Sequence, residues 1–449
     1  MEPNKEKRDW IAILILVVGA IFRLLLCFYN PPNNAYDDYL EPIAYYINLD
    51  IRPNPATCWE CYQPPLYFYI AEAIYKTSFL LSSDYYFSWK AVQLFNSLLS
   101  ICTLVIIYKI LLKMFSKERN IVLIVLSIVC IYPRDLYTSA MISNDTLLVF
   151  YVSLSVYFFL CYCKSESTIL LVSLCLSVLA ASLTKQHGLI TILLLVAVST
   201  RYIMFDKGKI LKLLTNPCIL LPFITSILCL GDEFWKYQHT HQFLISNQHF
   251  YNYVSTQLPG SLDKIEFFTF RFSTLLNDPF LSSNTIYSFW TVLFASAWFD
   301  YEWRYTTPDL YKIKYISNLL YTYAILILSV WVIGIIKLFL KKIKINFHTV
   351  VLLIVGACFF LVPLIQTLRF PYYSSMKSLF FLPALSIMAM ALVFGLQQFP
   401  WIKKTTVAYS LIGCTLCIGI IHVAYVLSYL YISLPNLSGP LWIFPGINL

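Results

Sequence analysis

The chain has 449 residues, of which 59% are hydrophobic and 12% are charged. Because soluble domains carry about 25% charged residues, this composition excludes an ordinary soluble domain and predicts an integral membrane protein. The formal net charge of +9 does not indicate nucleic-acid binding, since the basic residues lie at the ends of apolar runs, where they contact lipid head groups. The expected partners therefore include membrane lipids and exclude nucleic acid.

Apolar runs of about 17–25 residues recur along the chain and predict eleven transmembrane helices. The first runs from Trp10 to Tyr29 and is too long for the apolar region of a signal peptide, so we expect it to be a permanent span. The other ten predicted spans cover residues 88–112, 120–137, 144–163, 168–184, 188–204, 210–230, 316–340, 347–367, 376–397 and 405–432. The predicted fold is an all-α polytopic membrane protein.

Clusters of basic residues predict the orientation of these spans. Lys5, Lys7 and Arg8 precede the first span, and further clusters follow the second, sixth, eighth and tenth. Eleven spans place every cluster on the cytoplasmic side. Residues 30–89 and 231–315 then form two long external loops, and residues 433–449 form an external tail. The protein is expected in a bacterial inner membrane, with its site facing the periplasm, or in the endoplasmic reticulum membrane, with its site facing the lumen.

The first external loop is acidic. Five acidic residues between positions 37 and 60, including the adjacent Asp37 and Asp38, accompany a single basic residue, Arg52. Two adjacent carboxylates at a membrane surface are costly unless a cation, a proton or a hydrogen-bond donor compensates them. One interpretation is a general base or a metal ligand. The other is a solvated helix N-terminus, in which the acids complement the helix dipole.

The same loop contains a predicted interfacial helix and a pair of cysteines. The helix begins at the sequence Gln63-Pro64-Pro65-Leu66, and it should contain a Glu72–Lys76 ion pair four residues apart. Cys58 and Cys61 form a CxxC motif. A zinc site would need a second pair, which is not evident in the sequence, so a local disulfide or two free thiols are favoured.

An acidic pair after the first span, followed by the run Glu60-Cys61-Tyr62-Gln63-Pro64-Pro65-Leu66-Tyr67-Phe68, resembles the GT-C superfamily. The resemblance is to glycosyltransferase family 39, the dolichyl-phosphate-mannose protein mannosyltransferases and their bacterial relatives, including the aminoarabinose transferases of lipid A. Residues 143–147, 183–189 and 298–302 agree with this likeness. One departure is the segment from Lys377 to Pro383, where relatives often carry an Arg-Tyr-x-x-Pro run. The implied GT-C-like domain spans residues 1–432.

The resemblance implies an inverting transfer of a sugar from a polyprenyl-phosphate donor to a hydroxyl of a lipid, glycan or protein acceptor. Asp37 is then the expected catalytic base, with Asp38 as the alternate. Glu60 is the second carboxylate, as a metal or acceptor contact. A divalent metal ion is a candidate cofactor, with Glu60, His239 and His241 as its candidate ligands.

Basic residues at external span ends run against the positive-inside bias and suggest a site for the lipid phosphate. Arg134, Lys185, Arg369 and Lys377 fit this description, and Gln63 is a further candidate substrate contact. Alternatively, the basic side chains extend to ordinary lipid phosphates at the membrane surface.

A transporter or flippase is the alternative function. Such proteins place ionisable residues near the bilayer midplane, whereas the spans of this chain hold few, chiefly Arg23 and His422. We expect His422 to be a hydrogen-bonded residue of the helix bundle.

Overall fold

The computed structural model describes residues 3–205, 216–250, 265–282, 285–305, 310–340, 346–370 and 372–433. Within these ranges the chain is helical and has no β-strand, as the sequence predicted. Its α-helices are α1 (Pro3–Tyr29), α2 (Leu40–Leu49), α3 (Leu66–Ser82), α4 (Tyr85–Met114), α5 (Arg119–Ile131), α6 (Pro133–Ser139), α7 (Asn144–Ser165), α8 (Thr168–Thr184), α9 (Ile192–Phe205), α10 (Pro217–Cys229), α11 (Gly231–Thr240), α12 (Phe272–Asn277), α13 (Phe289–Trp298), α14 (Leu310–Phe339), α15 (Phe347–Arg369), α16 (Leu385–Leu396) and α17 (Thr405–Ser433).

Nine of the described helical segments are long and apolar enough to cross a membrane, and the bent pair α5–α6 makes a tenth. Helix α8, at the position of the predicted fifth span, is a shorter apolar helix of 17 residues. An apolar helix therefore stands at each of the eleven predicted positions, and the chain is a multi-pass membrane protein. The predicted tail lies outside the described residues from position 434 onward.

The third span is bent by 51° between α5 and α6. Pro133 is the first residue of α6, and the preceding Tyr132 leaves the helical conformation, with φ −58° and ψ 113°. A residue before proline is pushed away from the α region, because the proline ring clashes with its backbone. The bend places α6, and with it Arg134, inside the protein.

The second long loop begins later than predicted, because Gly231–Thr240 continues the seventh span as a helix. From the sequence alone, this segment is expected in the loop because it contains charged residues. In the structure Lys236 lies 2.7 Å from Asp232 and 2.8 Å from Glu233, and Arg52 of the first loop lies 2.6 Å from Asp232. These four charges neutralise one another, so the helix buries them instead of ending.

Helices α14 and α16 approach each other closely at two glycines. A Cβ atom on Gly395 would lie 2.1 Å from the carbonyl oxygen of Val330, and one on Gly334 would lie 2.6 Å from the backbone nitrogen of Gly395. Small residues allow membrane helices to pack at this distance. The contact fixes α16, which continues the segment that begins with Lys377.

The connections between spans meet at two ends of the bundle. We call the end that carries residues 30–84, 185, 241–250, 265–282 and 285–305 the loop end. There the Asn34 side chain donates to the Arg304 carbonyl at 2.7 Å, and Gln248 donates to Ser375 at 2.9 Å.

The opposite end carries those described residues of the basic connections that the sequence analysis placed in the cytoplasm. Lys403 lies 2.7 Å from Glu118, and Arg201 lies 2.7 Å from Glu166. The described parts of the two long loops thus lie at the other end of the bundle from these ion pairs.

Candidate active site

The first loop folds into two helices, α2 and α3, that pack through buried aromatic residues. Tyr39, Tyr46, Tyr67 and Phe68 form the core of this layer. Helix α3 begins immediately after Pro65, as the sequence predicted, because prolines at a helix start need no hydrogen-bond acceptor.

One local prediction for this loop is confirmed, and the alternative left open for the two cysteines is decided. Lys76 pairs with Glu72 at 2.8 Å, and Cys58 and Cys61 form a disulfide bond. The disulfide encloses a turn of which Trp59 and Glu60 are the inner residues.

A cavity of about 430 Å³ opens at the loop end. Its size is within the range of about 300–1,000 Å³ that is usual for small-molecule sites. Three segments supply its walls: the start of the first loop with the disulfide turn, the end of the second loop, and the segment that leads into α16. The lining residues are Tyr36, Asp37, Asp38, Trp59, Leu281, Glu302, Arg304, Tyr373, Ser374 and Lys377.

Both members of the predicted acidic pair line this cavity. Asp37 is half-buried, and no described residue forms an ion pair or a hydrogen bond with its carboxylate. Asp38 is more exposed and accepts the backbone N–H of Glu41 at 3.3 Å. Partial burial raises the pKa of Asp38, although backbone N–H groups oppose the rise. Asp37 is therefore an open hydrogen-bond acceptor at the cavity wall.

At the second wall, Glu302 and Lys377 line the cavity and belong to a buried cluster of one acid and two bases. The Glu302 carboxylate lies 2.6 Å from Lys377 Nζ and 3.1 Å from Arg134 Nη2. Arg134 also donates to the Ser296 carbonyl at 2.8 Å, and its guanidinium lies 4.2 Å from the Tyr36 ring. Burial raises the pKa of Glu302, but the two cations outweigh it and hold that pKa below its ordinary value. The cluster carries a net charge of +1 beside the cavity.

A second buried cluster adjoins the acidic pair. Lys185 lies 2.7 Å from Asp145 and donates to the Tyr39 hydroxyl at 3.2 Å. Glu60, which is 3% exposed, accepts from Gln63 at 2.9 Å and does not line the cavity. Burial, and then the negative charge of Asp37, raise the pKa of Glu60 to about 8. Burial therefore favours the protonated form of Glu60.

The four candidate phosphate-binding cations differ in their surroundings. Arg134, Lys185 and Lys377 are buried, with exposed fractions of 1%, 3% and 7%. They therefore do not extend to membrane lipids, and each pairs with an acid of this protein. Arg369 is exposed beside the Phe370 ring and does not line the cavity, which fits the alternative of a contact with ordinary lipid phosphates. Of the four, only Lys377 lines the cavity.

The structure does not bring the three candidate metal ligands together. His239 and His241 lie on exposed positions at the end of α11, and His239 Nδ1 is 2.8 Å from the Trp235 carbonyl. Glu60 is buried against Gln63. No group of three His, Cys, Asp or Glu side chains among the described residues could hold a metal ion. The metal site stays a prediction that this arrangement does not support.

Several residues of the site were not among the sequence candidates. The sequence could have indicated Asp145, because an acid in a predicted span needs a partner. Lys185, at the end of a neighbouring span, was available as that partner. Glu302 lies in a segment that resembled the family but was given no role. Nothing in the sequence marked Arg304 or Tyr36 as cavity residues.

No protein-family model matches the chain, and no curated protein sequence matches it. Two solved structures of the Archaeoglobus fulgidus oligosaccharyltransferase are similar to it. The apo form matches 93% of this chain with 13% identity and a TM-score of 0.47. The complex of AglB with an inhibitory peptide and a dolichol-phosphate matches 94% with 12% identity and a TM-score of 0.49. The chain covers 55% and 56% of those proteins, or about half their length.

A third similar structure is ArnT from Cupriavidus metallidurans bound to undecaprenyl phosphate. It matches 91% of this chain and 78% of its own length, with 12% identity and a TM-score of 0.38. The solved structures to which the chain is similar are thus an oligosaccharyltransferase and ArnT, each at 12–13% identity.

Proposed function

We propose that the protein is a membrane glycosyltransferase that moves a sugar from a polyprenyl-phosphate donor to a hydroxyl acceptor in the cavity at the loop end. The observation that carries this proposal is the half-buried Asp37 carboxylate, which lines the cavity without an ion-pair partner among the described residues. The same cavity is lined by Lys377 and Arg304. An available base and cations in one cavity are what transfer from a glycosyl phosphate requires.

The proposed reaction is a single displacement. The acceptor hydroxyl attacks the anomeric carbon while Asp37 accepts its proton. The bond between the anomeric carbon and the phosphate oxygen breaks, and the departing phosphate keeps the electron pair. Attack opposite the leaving group inverts the configuration of the sugar.

Cations at the second wall would bind the departing phosphate. Lys377 and Arg134 share Glu302, which leaves a net positive charge in the cluster. Arg134 does not line the cavity and contributes its charge from behind Lys377 and Glu302. Arg304 forms no ion pair within the described part of the chain, and its guanidinium is free to add a second positive charge. Charge-assisted hydrogen bonds from such groups to phosphate are short and strong.

The disulfide supports an external position for this site. Disulfides form and persist in oxidising compartments such as the periplasm and the lumen of the endoplasmic reticulum. A Cys58–Cys61 bond in the first loop therefore favours the orientation that the basic clusters predicted, in which both long loops are outside the cytoplasm.

The alternative function, a transporter or flippase, has less support from the spans. Arg23 is fully buried and pairs with Asp135. His422 contacts the Tyr137 hydroxyl at 2.5 Å, as expected for a bundle residue. The two chief ionisable groups of the spans thus contact other residues of the protein.

The test is transfer by purified protein in nanodiscs, supplied with a panel of polyprenyl-phosphate sugars on dolichol and undecaprenol carriers. The readout is the release of free lipid phosphate. Asp37→Asn keeps the shape of the side chain but cannot accept the proton, so release should fall at least a hundredfold. Asp50→Asn is the matched control, since Asp50 is an exposed acid of the same loop. Full activity of Asp37→Asn in correctly folded protein would remove Asp37 from the mechanism.

A further inference from the structure

The disulfide turn presents two residues in different directions. Cys58 and Cys61 are both 2% exposed, and the Cys61 N–H donates to the Cys58 carbonyl at 3.2 Å, which closes the turn. Trp59 is half-buried and lines the cavity, whereas Glu60 is buried and lies away from it. One face of the turn therefore meets the ligand space and the other meets the protein.

The buried face of the turn is anchored by hydrogen bonds. Gln63 donates its side-chain amide to Glu60 at 2.9 Å and its backbone N–H to the Glu60 carbonyl at 3.1 Å. Arg52 donates to the Gln63 carbonyl at 3.4 Å. These contacts hold the residues after the bridge. The residues before it, 51–57, contain no helix or strand, so the bridge ties this irregular segment to the anchored one.

Trp59 has the properties of a sugar-binding wall. Its ring is large and apolar on both faces, and the residue lies half-buried at a cavity that also contains polar groups. The C–H faces of a pyranose ring pack against such a surface, and an indole buries a large area at little cost in conformational entropy, provided that its backbone is fixed. In this loop the backbone on both sides of Trp59 is fixed by the bridge.

We propose that Trp59 contacts the sugar of the substrate and that the Cys58–Cys61 disulfide is the element that positions it. The inference rests on the proposed function, since it takes the cavity as the donor site. Trp59 then determines affinity for the sugar, and the two cysteines act only through Trp59. Loss of the bridge should weaken sugar binding as much as loss of the indole ring.

The test is a double-mutant cycle on the full chain in nanodiscs. One arm removes the ring (Trp59→Ala), one removes the bridge (Cys58→Ser with Cys61→Ser), and one removes both. We expect each single arm to raise the KM for the sugar donor about tenfold, with kcat changed less than threefold. The combined variant should be no worse than either arm, because coupled changes are not additive. Trp59→Phe should recover most of the affinity.

Matched controls separate this effect from general destabilisation. Cys102 and Cys414 are exposed free cysteines in spans, and replacing both with serine should leave KM unchanged. Thermal unfolding is measured for every variant. Additive KM effects in the cycle, or a bridge variant with lower thermal stability and unchanged KM, would overturn the inference.

A binding arm distinguishes failure of this inference from failure of the proposed function. Equilibrium binding of a non-hydrolysable phosphonate analogue of the lipid-linked sugar is compared with binding of the sugar-free lipid phosphate. Suppose that the affinity losses in the double-mutant cycle are non-additive for the sugar analogue and absent for the sugar-free lipid phosphate. In that case the inference holds even when no transfer is observed. If transfer is observed and all variants bind the sugar analogue like wild type, the inference fails and the proposed function stands.

Discussion

Glu60 should make the stability of this protein depend on pH between about 5 and 8. Burial, together with the charge of Asp37, raises its pKa from 4.5 to about 8, against the opposing charge of Lys185. Below the ordinary pKa of 4.5, Glu60 is protonated in both the folded and the unfolded chain. Between the two values the unfolded chain has lost this proton and the folded chain keeps it, so stability falls as pH rises. Above the higher value both forms are ionised and the loss stays constant.

The size of the effect follows from the same pKa. At about 1.4 kcal/mol per pH unit, the rise sets an upper limit of about 5 kcal/mol on the stability lost. Glu60→Gln keeps the shape of the side chain and its position beside Gln63, and it is neutral at every pH. The variant should therefore lose the decline in stability that wild type shows between pH 5 and pH 8.

The assay is thermal unfolding in nanodiscs at five values between pH 5 and pH 9, followed by tryptophan fluorescence. We expect wild type and Glu60→Gln to have similar Tm values at pH 5, and the variant to be more stable by several degrees at pH 8. Asp50→Asn, at an exposed acid of the same loop, should keep the wild-type slope. A Glu60→Gln variant with the same slope as wild type would show that Glu60 is already ionised at neutral pH, and the reasoning would fail.

Three further substitutions, two of them with a control variant, test the buried contacts. Asp145→Ala leaves Lys185 buried without its partner and should cost about 3–5 kcal/mol, measured as a lower Tm, whereas Asp145→Asn should cost less because an acceptor remains. Glu302→Ala leaves two buried cations unpaired, so it should lower both the Tm and donor binding. A Glu302→Ala variant with the wild-type Tm would contradict the pairing of Glu302 with Arg134 and Lys377. Gly395→Ala forces α14 and α16 apart and should cost about 1–3 kcal/mol, while Gly413→Ala, with open space around it, should be neutral by the same measurement.

The spans and the first loop were predictable because their signals are local. A run of about 20 apolar residues is sufficient to identify a span, and a CxxC motif or a Glu72–Lys76 pair involves residues within one or two turns. The start of α4 shows the limit of this reasoning. The helix begins at Tyr85, three residues before the predicted span, because the Asp84 side chain accepts the N–H groups of Tyr86 and Phe87. A hydropathy profile does not show where a side chain caps the start of a helix.

The ion pairs of the site were not predictable because they join distant parts of the chain. Arg134 and Glu302 are 168 residues apart, and Lys185 and Asp145 are 40 residues apart. A basic residue at a span end has the same sequence signature whether it faces lipid or protein. Only the packing of α6 and α7 shows that these cations are inside the protein. No sequence pattern predicted that Arg304 lines the cavity, since its position depends on the fold of the second loop.

The bend in the third span has a consequence for the first span. In a continuous helix the Cys130 carbonyl would accept the N–H of residue 134. At the bend, Arg23 Nη1 donates to that carbonyl at 3.2 Å and to the Gly19 carbonyl at 3.0 Å. Broken helices within a bilayer persist where side chains satisfy the freed backbone groups. Arg23, one of the few charged residues within the spans, therefore compensates a break in the backbone of a neighbouring span.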